Sequence, residues 1–412
     1  MRRFDWPRRA LLGACVLFLP MFAYAETSSW SAWLASQIQQ HPEVLAAREQ
    51  LLGSNASADA LEQPLYNPEL STDLERNGEE DNYRVGVQQT IDWWDRRGAR
   101  RQQAGFMRSA AEALYQQQVL DKTAEALAAL VEWHAANRAA AIAQAQQQQL
   151  NALLEQVDKR QQAGDLGSID AELTFLSLSQ QLAQVAEAEA AIQKAEIRVR
   201  ELLPAWAPTR GGIPDDFWPS QPDLTSDQEL RQYPAVASAH ARWQSLKEEA
   251  EVTRRTAKAE PTFGVNSGRD GGESVVGLTF SIPLNVRNNF SAETRATERI
   301  ALEAEARFQA IYRKQRFDWQ AAQATWQRFE QQYRRWQEVV QGRVENSAEL
   351  LKRQWRTGDL STTNYLLALN QRTESLLAGI ELEKQTRLAL TEALQQSGHL
   401  INAIKSSTAS TN

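Results

Sequence analysis

Four short stretches of this sequence occur twice, in the same order and at nearly constant separation. His41-Pro42-Glu43-Val44 returns as Tyr233-Pro234-Ala235-Val236, 192 positions on. Asn67-Pro68-Glu69-Leu70 returns as Glu260-Pro261-Thr262-Phe263 after 193, and Val85-Gly86-Val87 as Val276-Gly277-Leu278 after 191. Gly164-Asp165-Leu166 returns as Gly358-Asp359-Leu360 after 194. A period this long is a tandem duplication, not a solenoid unit. The 412 residues should therefore fold as two copies of one plan, where length alone suggests two or three domains.

Proline placement marks the joints. All 13 prolines lie at or before Pro283, and none falls between Pro68 and Pro204. Pro204, Pro208, Pro214, Pro219 and Pro222 crowd one 19-residue stretch with Gly211 and Gly212, a connector that can be neither helix nor central strand. This divides the chain into a signal (1–25), a first repeat (26–203), a Pro-rich linker (204–225), a second repeat (226–405) and a disordered tail (406–412).

Each repeat reads helix, two short strands, very long helix, turn, helix. Asp95 to Ala163 is rich in Ala, Gln, Glu, Leu and Arg, which favour helix at nearly every position. Those 69 residues make a rod of about 100 Å. The neighbouring helices, Trp30–Glu62 (33 residues) and Ser168–Leu203 (36 residues), together match that length, so two stacked helices should flank one long one. The second repeat offers a rod from Ser291 to Arg356 with partners at 227–259 and 361–404. Leu150, Leu153, Leu154 and Val157 have helical spacing, while Gln144 to Gln149 is almost wholly polar. The pattern predicts a partly solvated coiled-coil wall with small alanine contacts rather than a fat core.

Between the helices, four segments alternate with period two. Leu70, Thr72 and Leu74 share one face, as do Tyr83, Val85, Val87, Gln89 and Ile91. Phe263 with Val265, and Val276, Leu278, Phe280 and Ile282, do the same in the second repeat. The other face is small or polar. Two hairpins covering a water-soluble core would show this pattern, and so would membrane strands. The hairpin tips at 76–82 and 268–273 are strongly polar, and Trp93 and Trp94 stand where the second strand ends, as interfacial aromatics do in a membrane barrel. A membrane sheet leaves no edge unpaired, and barrels begin at about eight strands. Four strands per chain then require oligomers: two copies for eight strands, three for twelve.

The N-terminus points to export. Arg2, Arg3, Arg8 and Arg9 precede an apolar stretch from Ala10 to Ala23, and Ala23-Tyr24-Ala25 suits signal cleavage. Leu12-Gly13-Ala14-Cys15 offers a rival lipobox with lipidation at Cys15, and Arg8-Arg9 a rival twin-arginine signal. Cleavage after Ala25 removes the chain's single cysteine, and with it any disulfide or thiolate metal site. Lys and Arg total 45 against 52 Asp and Glu, so no basic surplus suggests nucleic acid as a partner.

At this point the residues resemble the TolC family of outer-membrane efflux channels, across essentially all of the mature chain. The resemblance is carried by Asn67-Pro68-Glu69-Leu70, by Gly86-Val87-Gln88-Gln89 with Asp92-Trp93-Trp94-Asp95-Arg96-Arg97, and by Gly277-Leu278-Thr279-Phe280-Ser281-Ile282-Pro283-Leu284. Val286-Arg287-Asn288-Asn289 is similar to a signature of the CzcC-like branch, which serves heavy-metal exporters. The resemblance implies a mainly α protein with a small β part. Four strands per chain would complete a 12-stranded trimeric β-barrel, above a long periplasmic α-helical barrel with the Pro-rich segment near its equator. It also implies three partners beside the homotrimer: a periplasmic adaptor (membrane fusion protein), an inner-membrane resistance-nodulation-division pump, and outer-membrane lipid. The cargo would be heavy-metal cations, with drug efflux or type I secretion as alternatives on the same fold. A periplasmic coiled-coil adaptor or structural protein is the reading from a different class.

The two helix turns end in Gly164 and Gly358, as left-handed caps require. Beyond capping, the resemblance implies that Gly164, Asp165, Leu166, Gly358, Asp359 and Leu360 form the tips where the adaptor docks. It also places a pore constriction just beyond them, at Asp170, Glu172 and Asn364. Asn364 stands where TolC has an acid, and Asp170 and Glu172 equally suit a solvated helix face. No catalytic constellation, cofactor motif or phosphate loop is evident. His41, His134, His240 and His399 lack any i, i+3 or i, i+4 partner for a metal.

Overall fold

The computed structural model describes residues 30–78, 80–164, 167–214, 217–218 and 227–406. The expected signal, the tail from 407, and linker positions 215–216 and 219–226 lie outside the described residues. Helices α1 (Trp30–Gln40) and α2 (Pro42–Glu62) lead into strands β1 (Glu69–Asn77) and β2 (Glu80–Thr90), followed by α3 (Arg96–Gln162) and α4 (Ser168–Leu202). After the linker, α5 (Asp227–Leu230) and α6 (Pro234–Thr256) lead into β3 (Thr262–Asp270) and β4 (Glu273–Ser281). Then come α7 (Ser291–Trp336), a π-helical turn (Gln337–Gln341), α8 (Gly342–Thr357), α9 (Thr362–Ser397) and α10 (Leu400–Ser406). α3 runs unbroken for 67 residues, about 100 Å, with α2 and α4 packed along it. α6 and α9 pack likewise along the rod made of α7 and α8, and both also contact α3.

Several helices are more broken than composition predicts. The helix expected over Trp30–Glu62 divides at His41, whose ψ of 133° lies outside the helical region because the Pro42 ring clashes with a helical neighbour. Pro42 then starts α2 where a missing N–H costs nothing, and His41 Nδ1 accepts the Glu43 N–H at 3.3 Å as cap. Tyr233, with ψ 131° before Pro234, repeats the break, so 227–259 is also two helices. The rod from Ser291 carries its π turn, and the partner expected over 361–404 stops at Gly398, which takes φ 78° as a left-handed cap.

The expected alanine wall is present above and below the middle, where α3 buries Ala99, Ala104, Ala111 and Ala113, then Ala135, Ala140 and Ala143. At mid-height, however, there is a dense core that the wall picture omitted. Trp33 and Leu34 of α1, Leu127, Leu130 and Trp133 of α3, Trp326 of α7 and Leu394 of α9 meet Leu203, Trp206 and Phe217 around the linker. Trp133 and Trp206 pack edge to face at 4.9 Å, and Arg210 lies 4.1 Å over Trp33. A separate, smaller cluster (Leu150, Leu153, Val157, Trp355, Tyr365, Leu366, Leu369) holds the far end near the two turns.

The strands form one antiparallel sheet in the order β1-β2-β3-β4. Its register aligns Leu70, Val87, Val265 and Leu278 in one row, and Ser71, Gly86, Asn266 and Gly277 in the next. Apolar and polar rows therefore fall on opposite faces, as period two demands.

Candidate functional site

Among the described residues, none covers the apolar sheet face. Leu70 is 72 % exposed, Leu278 87 % and Val276 78 %, and Val85, Val87, Val265 and Phe280 are exposed as well. β1 and β4 each pair on one side only. A bare apolar face bounded by two open edges would invite aggregation in water. Strands of 9 to 11 residues have the length a tilted membrane strand needs. Among the described residues no helix is long and apolar enough to cross a membrane.

The opposite face is small and acidic. The Asn266 side chain lies flat between two glycines: a Cβ at Gly277 would stand 2.6 Å from Asn266 Oδ1, and one at Gly86 2.9 Å from Asn266 Cβ. Asn266 Nδ2 donates to Thr279 Oγ1 at 3.0 Å. Glu69, Asp73, Glu75, Asp270 and Glu273 share this face by alternation, opposed by Arg84, which pairs with Asp270 at 2.5 Å. If the sheet closes, this face lines a wet, cation-attracting lumen.

The junction of sheet and helices is tightly tied. Asp92 accepts the Arg96 and Arg97 N–H groups at 2.7 and 2.8 Å, capping α3. Arg96 donates to Tyr66 Oη at 2.8 Å and lies 3.7 Å from the buried Glu260 carboxylate, to which Tyr66 also donates. Burial, then the bond to Glu260, raises the Tyr66 hydroxyl pKa. Arg255 reaches Asp95 at 3.2 Å and Glu251 at 2.7 Å. Burial alone would raise the Glu251 pKa, but Arg255 and Arg254 outweigh it and hold the carboxyl below its ordinary value. Trp93 and Trp94 both stand exposed at this junction, and Trp94 Nε1 donates to the Ala259 carbonyl at 2.9 Å. Composition did not point to Tyr66, Glu260 or Lys258 here, because each is brought in from a distant segment.

At the other end, Gly164 and Gly358 take φ 83° and 87°, values that favour glycine. The Gln354 carbonyl accepts the Asp359 and Leu360 N–H groups at 2.9 and 3.1 Å, and Thr357 Oγ1 donates to Asp359 at 2.6 Å. Leu360 is half-buried against the small end cluster. Asp165 and Leu166 lie outside the described residues. Three side chains outside the Gly-Asp-Leu tips join the turns. Arg160 donates to the Arg356 carbonyl at 3.4 Å and sits 5.1 Å over Trp355, which stacks on Tyr365 at 5.3 Å. Asp170 is half-buried in the first turn of α4, whereas Glu172 and Asn364 are exposed. No ion pair or side-chain hydrogen bond joins these three among the described residues, although the Asn364 N–H donates to Ser361 Oγ at 3.3 Å.

The histidines are dispersed. His41 caps α2, His240 meets Trp243 and Phe308 edge to face, His134 is exposed, and His399 keeps a buried Nδ1 without a hydrogen-bond partner among the described residues. Among the described residues no three metal-binding side chains cluster.

These parts define a class of structure: a short sheet, open at both edges, carried on a long double-layered helical rod, which is the TolC-like fold. Among solved structures, the outer-membrane channel OprN matches with TM-score 0.72 at 16% identity, over 90% of each chain. CusC, described in terms of folding and transmembrane channel formation, matches with TM-score 0.74 at 13% identity, over 89% of this chain and 91% of its own. The CmeC outer-membrane channel of Campylobacter jejuni matches with TM-score 0.72 at 12% identity, over 89% of this chain and 85% of its own. No protein-family model matches the chain, and no curated protein matches its sequence.

Proposed function

We propose that this chain is one protomer of a trimeric outer-membrane channel. It would act as the passive exit duct of a tripartite efflux system, not as an enzyme. The observation that carries this is the sheet, whose apolar face is bare, whose opposite face is polar, and whose two edges await other strands. Three copies would supply twelve strands and close the barrel, with lipid against the apolar rows and water within. The likeness to solved outer-membrane channels over nine-tenths of the chain supports the reading. The repeats 26–203 and 226–405 would be the two halves of each protomer, joined by the linker at 204–225.

In this reading the turns at Gly164–Leu166 and Gly358–Leu360 receive a periplasmic adaptor, and a resistance-nodulation-division pump delivers the cargo. The acidic lumen face and the acids at Asp170 and Glu172 favour cations, which agrees with heavy-metal export. Extraction tests the reading: the mature chain should need detergent and run as a trimer. Release by osmotic shock alone would refute it. In planar bilayers Asp170→Ala should raise single-channel conductance; unchanged conductance and ion selectivity would remove Asp170 from the constriction. A deletion strain challenged with several metal ions and drugs would identify the cargo.

A further inference from the structure

We infer that the helix-side rim of the sheet is a binding surface for anionic phospholipid headgroups, built where β2 passes into α3 and α6 into β3. The inference rests on the membrane-barrel reading. The stretch from Asp92 to Arg101 holds four arginines and two carboxylates, and both carboxylates are engaged. Asp92 caps α3 through two backbone N–H groups, and Asp95 pairs with Arg255. Arg96 turns inward to Glu260 and Tyr66. Arg97, Arg100, Arg101 and Lys258 are left with no ion pair among the described residues. Arg97, Arg101 and Lys258 are exposed. The Arg97 Nε donates to the Glu62 carbonyl at 3.1 Å, which anchors the side chain while its terminal nitrogens keep free donors.

The aromatic half of the surface is equally well placed. Trp94 is fixed by its bond to the Ala259 carbonyl, and Lys258 Nζ sits 4.4 Å from its ring centroid. Trp93 is 63 % exposed, and exposed Ile91 extends the bare apolar face to this rim. An indole with a cation beside it suits the boundary where acyl chains give way to phosphates. An arginine fork matches two phosphate oxygens. At the opposite end of the sheet Arg76 pairs with Asp81 and Arg84 with Asp270, and Arg269 donates to the Gly272 carbonyl, with no indole beside them. Unpaired cations and exposed indoles thus coincide at one end only. The rim also lies at β2 and β3, the middle of the sheet, so strand pairing with other copies at β1 and β4 leaves it open.

The test uses the full chain, solubilised in detergent and reconstituted in nanodiscs of equimolar phosphatidylcholine and phosphatidylglycerol. Lipid retained by the protein is then counted by native mass spectrometry. Wild type should retain phosphatidylglycerol several-fold over phosphatidylcholine. In the triple variant Arg97→Gln, Arg101→Gln, Lys258→Gln the enrichment should fall, by up to about fivefold for each cation removed. Arg76→Gln with Arg269→Gln, at the far end, should leave it intact. Equal retention of the two lipids by wild type, unchanged enrichment in the triple variant, or an equal loss in the far-end control would overturn the inference. A chain that fails to enter lipid at all overturns the barrel reading instead, so the two failures are distinguishable.

Discussion

Leu278→Arg separates a membrane strand from a water-facing one. Leu278 is 87 % exposed and sits inside β4, in the apolar row with Leu70, Val87 and Val265. Within the chain it covers almost nothing, so in water its replacement should change stability by no more than about 0.5 kcal/mol. Facing hydrocarbon near the bilayer midplane, the same arginine costs about 2–4 kcal/mol per chain. The matched control is Asp73→Arg, exposed on the other face of β1, where a barrel would have water; there the change should stay within about 1 kcal/mol. The full chain would be folded into lipid vesicles and unfolded with urea, followed by tryptophan fluorescence and by mobility on semi-native gels. A loss of stability confined to Leu278→Arg is the expected result. If that variant folds into vesicles as well as wild type, or if Asp73→Arg is as damaging, the assignment of faces is wrong.

Two further outcomes follow from the helical part. Leu150 is fully buried in the small end cluster, so Leu150→Ala should cost about 2–5 kcal/mol. Hydrogen exchange should rise around 145–160 and 350–370 and not at the Trp-rich core; uniform loss of protection would contradict the separation of the two cores. Burial, and then the nearby Glu383 carboxylate, push the Tyr333 hydroxyl up to about 12. Its contribution is fully present below the ordinary tyrosine pKa near 10 and is lost as pH rises towards 12. Discounted for partial exposure, this is worth about 1–2 kcal/mol. Tyr333→Phe should flatten the alkaline fall in stability by that amount, read as the difference between the two proteins' denaturation midpoints across pH 9–12.

The sheet was legible because its signal is local. Alternation along 70–74, 83–91, 263–265 and 276–282 sorts the faces whatever packs against them, and the register keeps the rows the sequence implies. The rods were legible for the same reason, since helix-forming composition persists over dozens of residues. The Trp-rich core was not, because Trp33, Trp133, Trp206, Phe217 and Trp326 come from four separate segments (α1, α3, the linker and α7) and share no period. The junction hid in the same way: Glu260 lies 164 positions from Arg96 and 194 from Tyr66. At the turns, the glycine caps were visible as single residues. The Arg160–Trp355–Tyr365 stack that joins them is a tertiary fact.

The π turn at Gln337–Gln341 has a consequence for symmetry. Both rods contain 67 residues, but the second spends one more residue on a single turn. Relative to an unbroken helix, everything below that point is rotated by roughly 100° about the rod axis. The two turns, nearly identical in sequence at Gly164 and Gly358, therefore sit on rods of different phase. The duplication is exact enough to build two similar halves, yet any partner reading this end of the protomer meets two unlike surfaces rather than one surface twice.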